Sequence, residues 1–224
     1  FLEDTGARPG LRGAVPSVFT RRVRAVVALP AHSVAELVDS PDPGTPTGSR
    51  DRAILLLAAR TGLRPGDIAG LRLGDLDWRQ AQITVTQHKT ATVVTLPLLA
   101  DVGAAIAEYL LNDRPSGTGD EHVFLRSHAP HVAFAPGNGL YHVAAGAFAR
   151  THTIPEGGTG RGMRVLRASL ATRMAEQGTS LPVISGALGH RGTDSAKHYL
   201  AADETRMRQC CLDFTGIEPA GPRP

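Results

Sequence analysis

The hydrophobic pattern of this chain is helical, then strand-like, then helical again. Residues 1 to 20 contain Gly and Pro without clear periodicity and predict a linker, or the remnant of a preceding domain. Ser33-x-x-Glu36 has the spacing of a capping box and predicts a helix starting at about Ser33. Ser40 to Gly48 is rich in Pro and Gly and predicts a loop. Ser49 then reads as the cap of a strongly apolar helix, Arg50 to about Arg60, closed by Gly62. Pro65 suits the first turn of a short helix running through Leu71. The period changes at Gln82–Thr86 and Thr92–Leu96, two β-branched runs joined by a polar stretch with His88, Lys89 and Thr90, which predict a hairpin. Helical spacing returns from Leu98 to about Leu111, followed by a polar loop from Asn112 to Asp120. Val143 to Arg150 predicts another helix, and Glu156 to Gly162 a flexible Gly-rich run. Further helices are expected over about 163–177, 181–187, 193–200 and 203–213. The fold class implied is mostly α with a small antiparallel β-sheet.

Composition narrows the picture. The chain has 224 residues and a formal net charge of +3, with a sequence pI of about 9.2, a mild lean toward an anionic partner. The length suits one sizeable domain, or one domain plus a remnant of another, and the start at Phe1 suggests a piece of a longer protein. The adjacent Cys210 and Cys211 cannot form a useful staple and point to a reduced, intracellular setting. The longest apolar run, Ala53 to Ala59, is too short for a membrane span. Lysine occurs only at 89 and 197 against a background of arginine, which draws attention to Lys89.

Four separated motifs then converge on one resemblance. Thr61-Gly62-Leu63-Arg64-Pro65-Gly66-Asp67-Ile68 followed by Leu71 resembles the first arginine box of the tyrosine recombinase (phage integrase) family. Leu166-Arg167 followed by Leu170-Ala171-Thr172 resembles its second box, and Leu188-Gly189-His190 with Tyr199 nine residues on resembles the third. The hairpin with Lys89 falls between the first and second boxes, as in the family. The resemblance covers roughly residues 20 to 214, and Val183 to Leu212 is most similar to transposon-encoded integrases.

The resemblance implies a tyrosine-recombinase catalytic domain over 21–214, with residues 215–224 as a disordered tail. It also implies site-specific breakage and rejoining of double-stranded DNA through a 3′-phosphotyrosyl intermediate. In-line attack on a phosphodiester builds negative charge on the non-bridging oxygens, and guanidiniums grip such oxygens while staying charged at any working pH. Arg64 and Arg167 are the candidates for this role, Tyr199 for the nucleophile, and His190 for a hydrogen bond to the scissile phosphate. Lys89 is the candidate acid for the departing 5′ oxygen, since an ammonium can lose a proton where a guanidinium cannot. Asp67, one turn from Arg64, is a candidate for orienting it; Arg161, Arg191 and Lys197 are candidates for DNA contact. The family further implies a tetramer on DNA, no cofactor, and a cytoplasmic, nucleoid-associated location.

The second box departs from the family pattern. It reads Arg164-Val165-Leu166-Arg167-Ala168, where the family usually has His-x-x-Arg, often with a His after the Arg. Positions i and i+3 share a helix face, so Arg164 and Arg167 are expected to converge on one anion. Arg164 cannot accept a proton, which with Ala168 keeps open a cleavage-deficient DNA-binding module of the same fold; a second alternative, sharing the phosphotyrosine step, is resealing of the same strand as in a type IB topoisomerase. His122, His128 and His131 match no common zinc spacing, and Gly157 to Gly162 lacks the strand and the Lys-Ser/Thr ending of a P-loop. After Tyr199, Met207, Cys211 and Phe214 recur at i, i+4 and i+7, an apolar stripe that could dock on a neighbouring subunit or on its own domain.

Overall fold

The structure is a computed structural model and describes residues 28–89, 91–135, 140–155 and 160–189. The expected linker, the C-terminal tail and the helices expected over 193–200 and 203–213 lie outside the described residues. The order of elements is α1 (Ala31–Asp39), α2 (Pro46–Thr61), α3 (Pro65–Ala69), β1 (Leu76–Asp77), β2 (Gln82–Thr86), β3 (Val93–Pro97), α4 (Ala100–Glu108), α5 (Tyr141–Thr151), α6 (Arg164–Glu176) and α7 (Leu181–Ala187). Mostly α with one small antiparallel sheet is the architecture observed.

Helix α2 is the spine. It packs against α1, α3, α4, α5 and α6, and its whole apolar run, Ala53 to Ala59, is buried. A helical run buried over two consecutive turns has no need of an amphipathic stripe, which fits residues 53 to 59 being apolar throughout. Two expectations about helix starts shift here. The capping box at Ser33 is not formed; α1 begins at Ala31 behind Pro30, which makes no side-chain cap. Ser49 is not the cap of α2 either. Thr45 caps it, its hydroxyl accepting the Gly48 N–H at 3.0 Å, with Pro46 at the first helical position and the Ser49 hydroxyl turned back to the Pro46 carbonyl at 3.3 Å. Proline's fixed φ and missing N–H favour that position, so the helix starts one turn earlier than the apolar run suggests. Gly62 ends it as expected, in the left-handed region at φ 65°.

The hairpin pairs Ile83 with Leu96 and Val85 with Val94, one residue later on the second strand than the sequence suggests. A third strand, β1, pairs Leu76 with Ile83; two residues are too few to show an alternation. Ile83, Val85, Leu76 and Leu96 turn one face of the sheet into the core. After α4 the chain widens into a single π turn over Tyr109–Asp113. Tyr109 is a core residue: its ring stacks on Phe124 with centroids 5.8 Å apart, its hydroxyl accepts the Leu125 N–H at 3.3 Å, and burial pushes its phenol above the usual range.

The segment 114–135 carries little regular structure and is held by charged side chains instead. Arg50 donates to the Leu125 carbonyl at 3.0 Å, bonds Asp51 through Nε at 2.9 Å, and lies over the Phe134 ring. Asp120 accepts from the His122 N–H at 2.9 Å, the His122 ring at 2.7 Å and the Ala133 N–H at 2.9 Å. His128 and His131 bond locally to Ser127 and to the Arg126 carbonyl. No helix among the described residues is long and apolar enough to cross a membrane.

The hydrogen bonds from the His122 backbone and ring, with that from Ala133, hold the Asp120 carboxyl at about 2, below its ordinary 3.8. A carboxyl lowered on folding contributes stability above its unfolded pKa and loses it as the pH falls through the folded value. Thermal melts of Asp120→Asn should therefore show a deficit against the parent at pH 7 that shrinks between about pH 4 and pH 2. A deficit that stays constant across that interval would contradict the assignment.

Candidate active site

Two arginines distant in sequence meet at one turn of backbone. Arg64 follows the left-handed Gly62 and serves as the N-terminal residue of α3, in extended conformation with φ −70° and ψ 147°, ahead of Pro65. This geometry throws its side chain, 21% exposed, away from α2. Its Nη2 donates to the Gly189 carbonyl at 3.2 Å. Arg167 lies in the first half of α6 and is buried. Its Nη2 donates to the Leu188 carbonyl at 2.7 Å and its Nη1 to the Gly62 carbonyl. The two guanidiniums thus hold consecutive carbonyls of the turn that ends α7 and immediately precedes His190 in sequence.

That turn is positioned by packing. Ile184 and Leu188 of the α7 region cluster with Ala171 and Ala175 of α6. A Cβ on Gly62 would come within 2.6 Å of Leu188 Cδ2 and 3.0 Å of Leu170 Cδ2, so the end of α2 and the end of α7 approach through a glycine. Gly189, at φ +63°, has no room either, because a Cβ there would collide with the Gln87 side-chain amide.

Asp67 ties this centre to the hairpin. Its side chain is 2% exposed and its Oδ2 stands 3.9 Å from Arg64 Nη1. Its Oδ1 accepts the His88 N–H at 3.0 Å. Asp67 Oδ2 has no hydrogen bond among the described residues, so the carboxylate relies on the nearby guanidinium for its charge balance. Asp67 thus lies beside Arg64 and holds the hairpin backbone at His88. Lys89 is exposed beside His88 at the hairpin tip, whose turn is closed by Gln87 N–H to Thr92 at 2.9 Å and Ala91 N–H to Gln87 at 2.8 Å.

Gln87 went unnoticed in the motif reading. It is 1% exposed; its Oε1 accepts from Arg64 Nη1, and its Nε2 donates to the Leu188 carbonyl at 3.3 Å. The signal was available. Residues 83, 85 and 87 share the inward phase of the strand pattern, and a polar residue on that phase needs hydrogen-bond partners.

Arg164 and Arg167, one helical turn apart, differ in their surroundings. Arg167 is buried against the Gly62 and Leu188 carbonyls, whereas Arg164 and Arg161 are exposed. Arg164 is the first residue of α6, where the side chain is open to solvent. His190, Arg191, Lys197 and Tyr199 lie outside the described residues.

Residues 28–206 match the model of the phage integrase family. The chain belongs to this family. The y4gC protein of Sinorhizobium fredii, assigned as an integrase/recombinase, is 35% identical over 184 residues, covering 82% of this chain and 93% of the relative. Tyrosine recombinase XerD of Vibrio vulnificus is 28% identical over 182 residues, covering 79% of this chain and 56% of that protein. Among solved structures, the XerH site-specific recombinase bound to palindromic difH DNA superposes with a TM-score of 0.70 at 18% identity, covering 84% of this chain and 53% of that one. The Tn1549 transposon integrase in complex with a circular-intermediate DNA gives 0.62 at 16% identity, covering 84% and 67%. The chain spans nearly all of one relative but about half the length of several others. These likenesses identify the fold as that of a tyrosine recombinase catalytic domain.

Gly62→Ala should lower stability by about 1–3 kcal/mol in urea titration, because it adds a left-handed alanine and a clash with Leu188. Gly66→Ala serves as the comparison, since a Cβ there meets nothing within 4 Å. It should be neutral or slightly stabilising.

Proposed function

We propose that the protein is a site-specific DNA recombinase that cuts and rejoins strands through a tyrosine. The observation that supports this best is the meeting of Arg64 and Arg167 at the turn before His190. In the proposed reaction the Tyr199 hydroxyl attacks a scissile phosphorus in line. A 3′-phosphotyrosyl bond forms as the bond to the 5′ oxygen breaks. Arg64 and Arg167 hold the non-bridging oxygens, and His190 adds a hydrogen bond to the same phosphate. Lys89 delivers a proton to the departing 5′ oxygen, which suits its exposed place on a tethered hairpin tip. Attack by a partner strand's 5′ hydroxyl then releases the tyrosine and exchanges the strands.

Fixed donors around a developing charge contribute about 2.7–4 kcal/mol each. Arg64→Ala or Arg167→Ala should therefore slow cleavage about 100- to 1,000-fold. The partner in this reading is double-stranded DNA, like that held by the matched XerH and Tn1549 complexes. A tetramer on paired sites follows from the family, as does docking of the Met207, Cys211 and Phe214 stripe on a neighbouring subunit. Arg164 and Arg161 are open to solvent and suited to backbone phosphates, which would make binding fall steeply with salt. With Arg164 in place of the usual histidine, this site has no imidazole at that position to take the tyrosine's proton.

A nicked suicide duplex built from the DNA flanking the gene tests the chemistry. It should trap a covalent protein–DNA adduct that Tyr199→Phe abolishes. Binding without any adduct would favour a cleavage-deficient module, and resealing without exchange between two labelled duplexes would favour topoisomerase-like action. Deletion of residues 203–224 should abolish oligomers on DNA while sparing monomer binding; intact oligomers would end the docking idea.

A further inference from the structure

We infer that Gln87 is a positioning residue for the phosphate-gripping arginines, acting as a neutral strut between Arg64 and the turn before His190. The inference rests on the recombinase reading above. Gln87 comes from the end of β2, Arg64 from the start of α3, and Leu188 from the end of α7, and the Gln87 amide joins all three. Its carbonyl oxygen accepts from Arg64 Nη1, on the side of the guanidinium that also faces Asp67 Oδ2 at 3.9 Å. Its amide nitrogen donates to the Leu188 carbonyl, which also receives Arg167 Nη2. Arg64 and Arg167 are therefore connected through one amide and one peptide carbonyl.

The chemistry of the side chain fits that place. An amide offers an acceptor to one neighbour and a donor to another without adding charge. A carboxylate at 87 would pair with Arg64 but would face the Leu188 carbonyl with no proton to give. A lysine would repel both guanidiniums. A leucine of similar size would take one partner each from the part-buried Arg64 Nη1 donor and the buried Leu188 carbonyl. Gly189 belongs to the same device, because only a residue without a side chain lets the turn lie against the Gln87 amide. The strut also fixes the stalk of the hairpin two residues before Lys89, so the arginine centre and the lysine tip share one anchor.

The test compares cleavage of a nicked phosphodiester duplex with cleavage of the same duplex carrying a methylphosphonate at the scissile position. The methyl group removes one charged non-bridging oxygen, so a defect in gripping that oxygen matters less. Gln87→Leu should slow adduct formation at least tenfold on the phosphodiester, and the loss should shrink severalfold on the methylphosphonate, as for Arg64→Ala. Gln87→Glu keeps the acceptor toward Arg64 and should cleave faster than Gln87→Leu. An Ile83→Val core variant serves as the stability control and should lose the same factor on both substrates. Cleavage by Gln87→Leu within twofold of the parent, or an equal loss on both substrates, would overturn the assignment. So would equal rates for the Glu and Leu variants. Absence of any adduct from the parent, on either substrate, would instead remove the recombinase reading and this inference with it.

Discussion

The centre of this domain depends on one buried and one half-buried cation held by peptide carbonyls. Arg167 reaches across from α6 to the Gly62 and Leu188 carbonyls, and Arg64 reaches from the start of α3 to Gly189. A charge withdrawn from water must be met by fixed dipoles, and the ends of helices supply carbonyls that lack intrahelical partners. Gly62 closes α2, and Leu188 and Gly189 follow the last turn of α7. The guanidiniums therefore satisfy two helix ends while those ends hold the guanidiniums in place.

The rest of the fold brings those ends together. The buried run of α2 sets the position of Gly62 and of the chain leading into Arg64. The cluster of Ala171, Ala175, Ile184 and Leu188 fixes α7 against α6. The sheet contributes through its inward-facing residues, and Asp67 links the base of the arginine centre to the backbone of the hairpin. Local shape, hydrophobic packing and charge placement thus act on the same few residues.

Much of this was legible in the sequence because the chemistry is local to short motifs. Arg64 and Arg167 could be found from their flanking residues, and the helix–hairpin–helix order from the change in period. Element edges were less legible where two signals competed. Ser33 and Ser49 looked like caps, but Pro30 and the Thr45–Pro46 pair set the starts of the helices. β1 was hidden because two residues carry no pattern. The difference in burial between Arg164 and Arg167 could not be read either. Spacing along a helix says which residues are near one another, not how far each is turned from the packed face. Gln87 was missed for a different reason, since its partners lie in three distant segments and only its inward phase on the strand marks it.

The anchoring of Arg64 and Arg167 to backbone carbonyls has a practical consequence for anyone seeking an inert form of this protein. Removing either guanidinium takes away a rivet between helix ends, so such a variant is an altered scaffold. A lysine at 167, with one compact ammonium in place of a planar fork, could not hold the Gly62 and Leu188 carbonyls in the same way. A catalytically silent version that keeps its architecture has to be sought among groups that carry no structural duty at the helix ends.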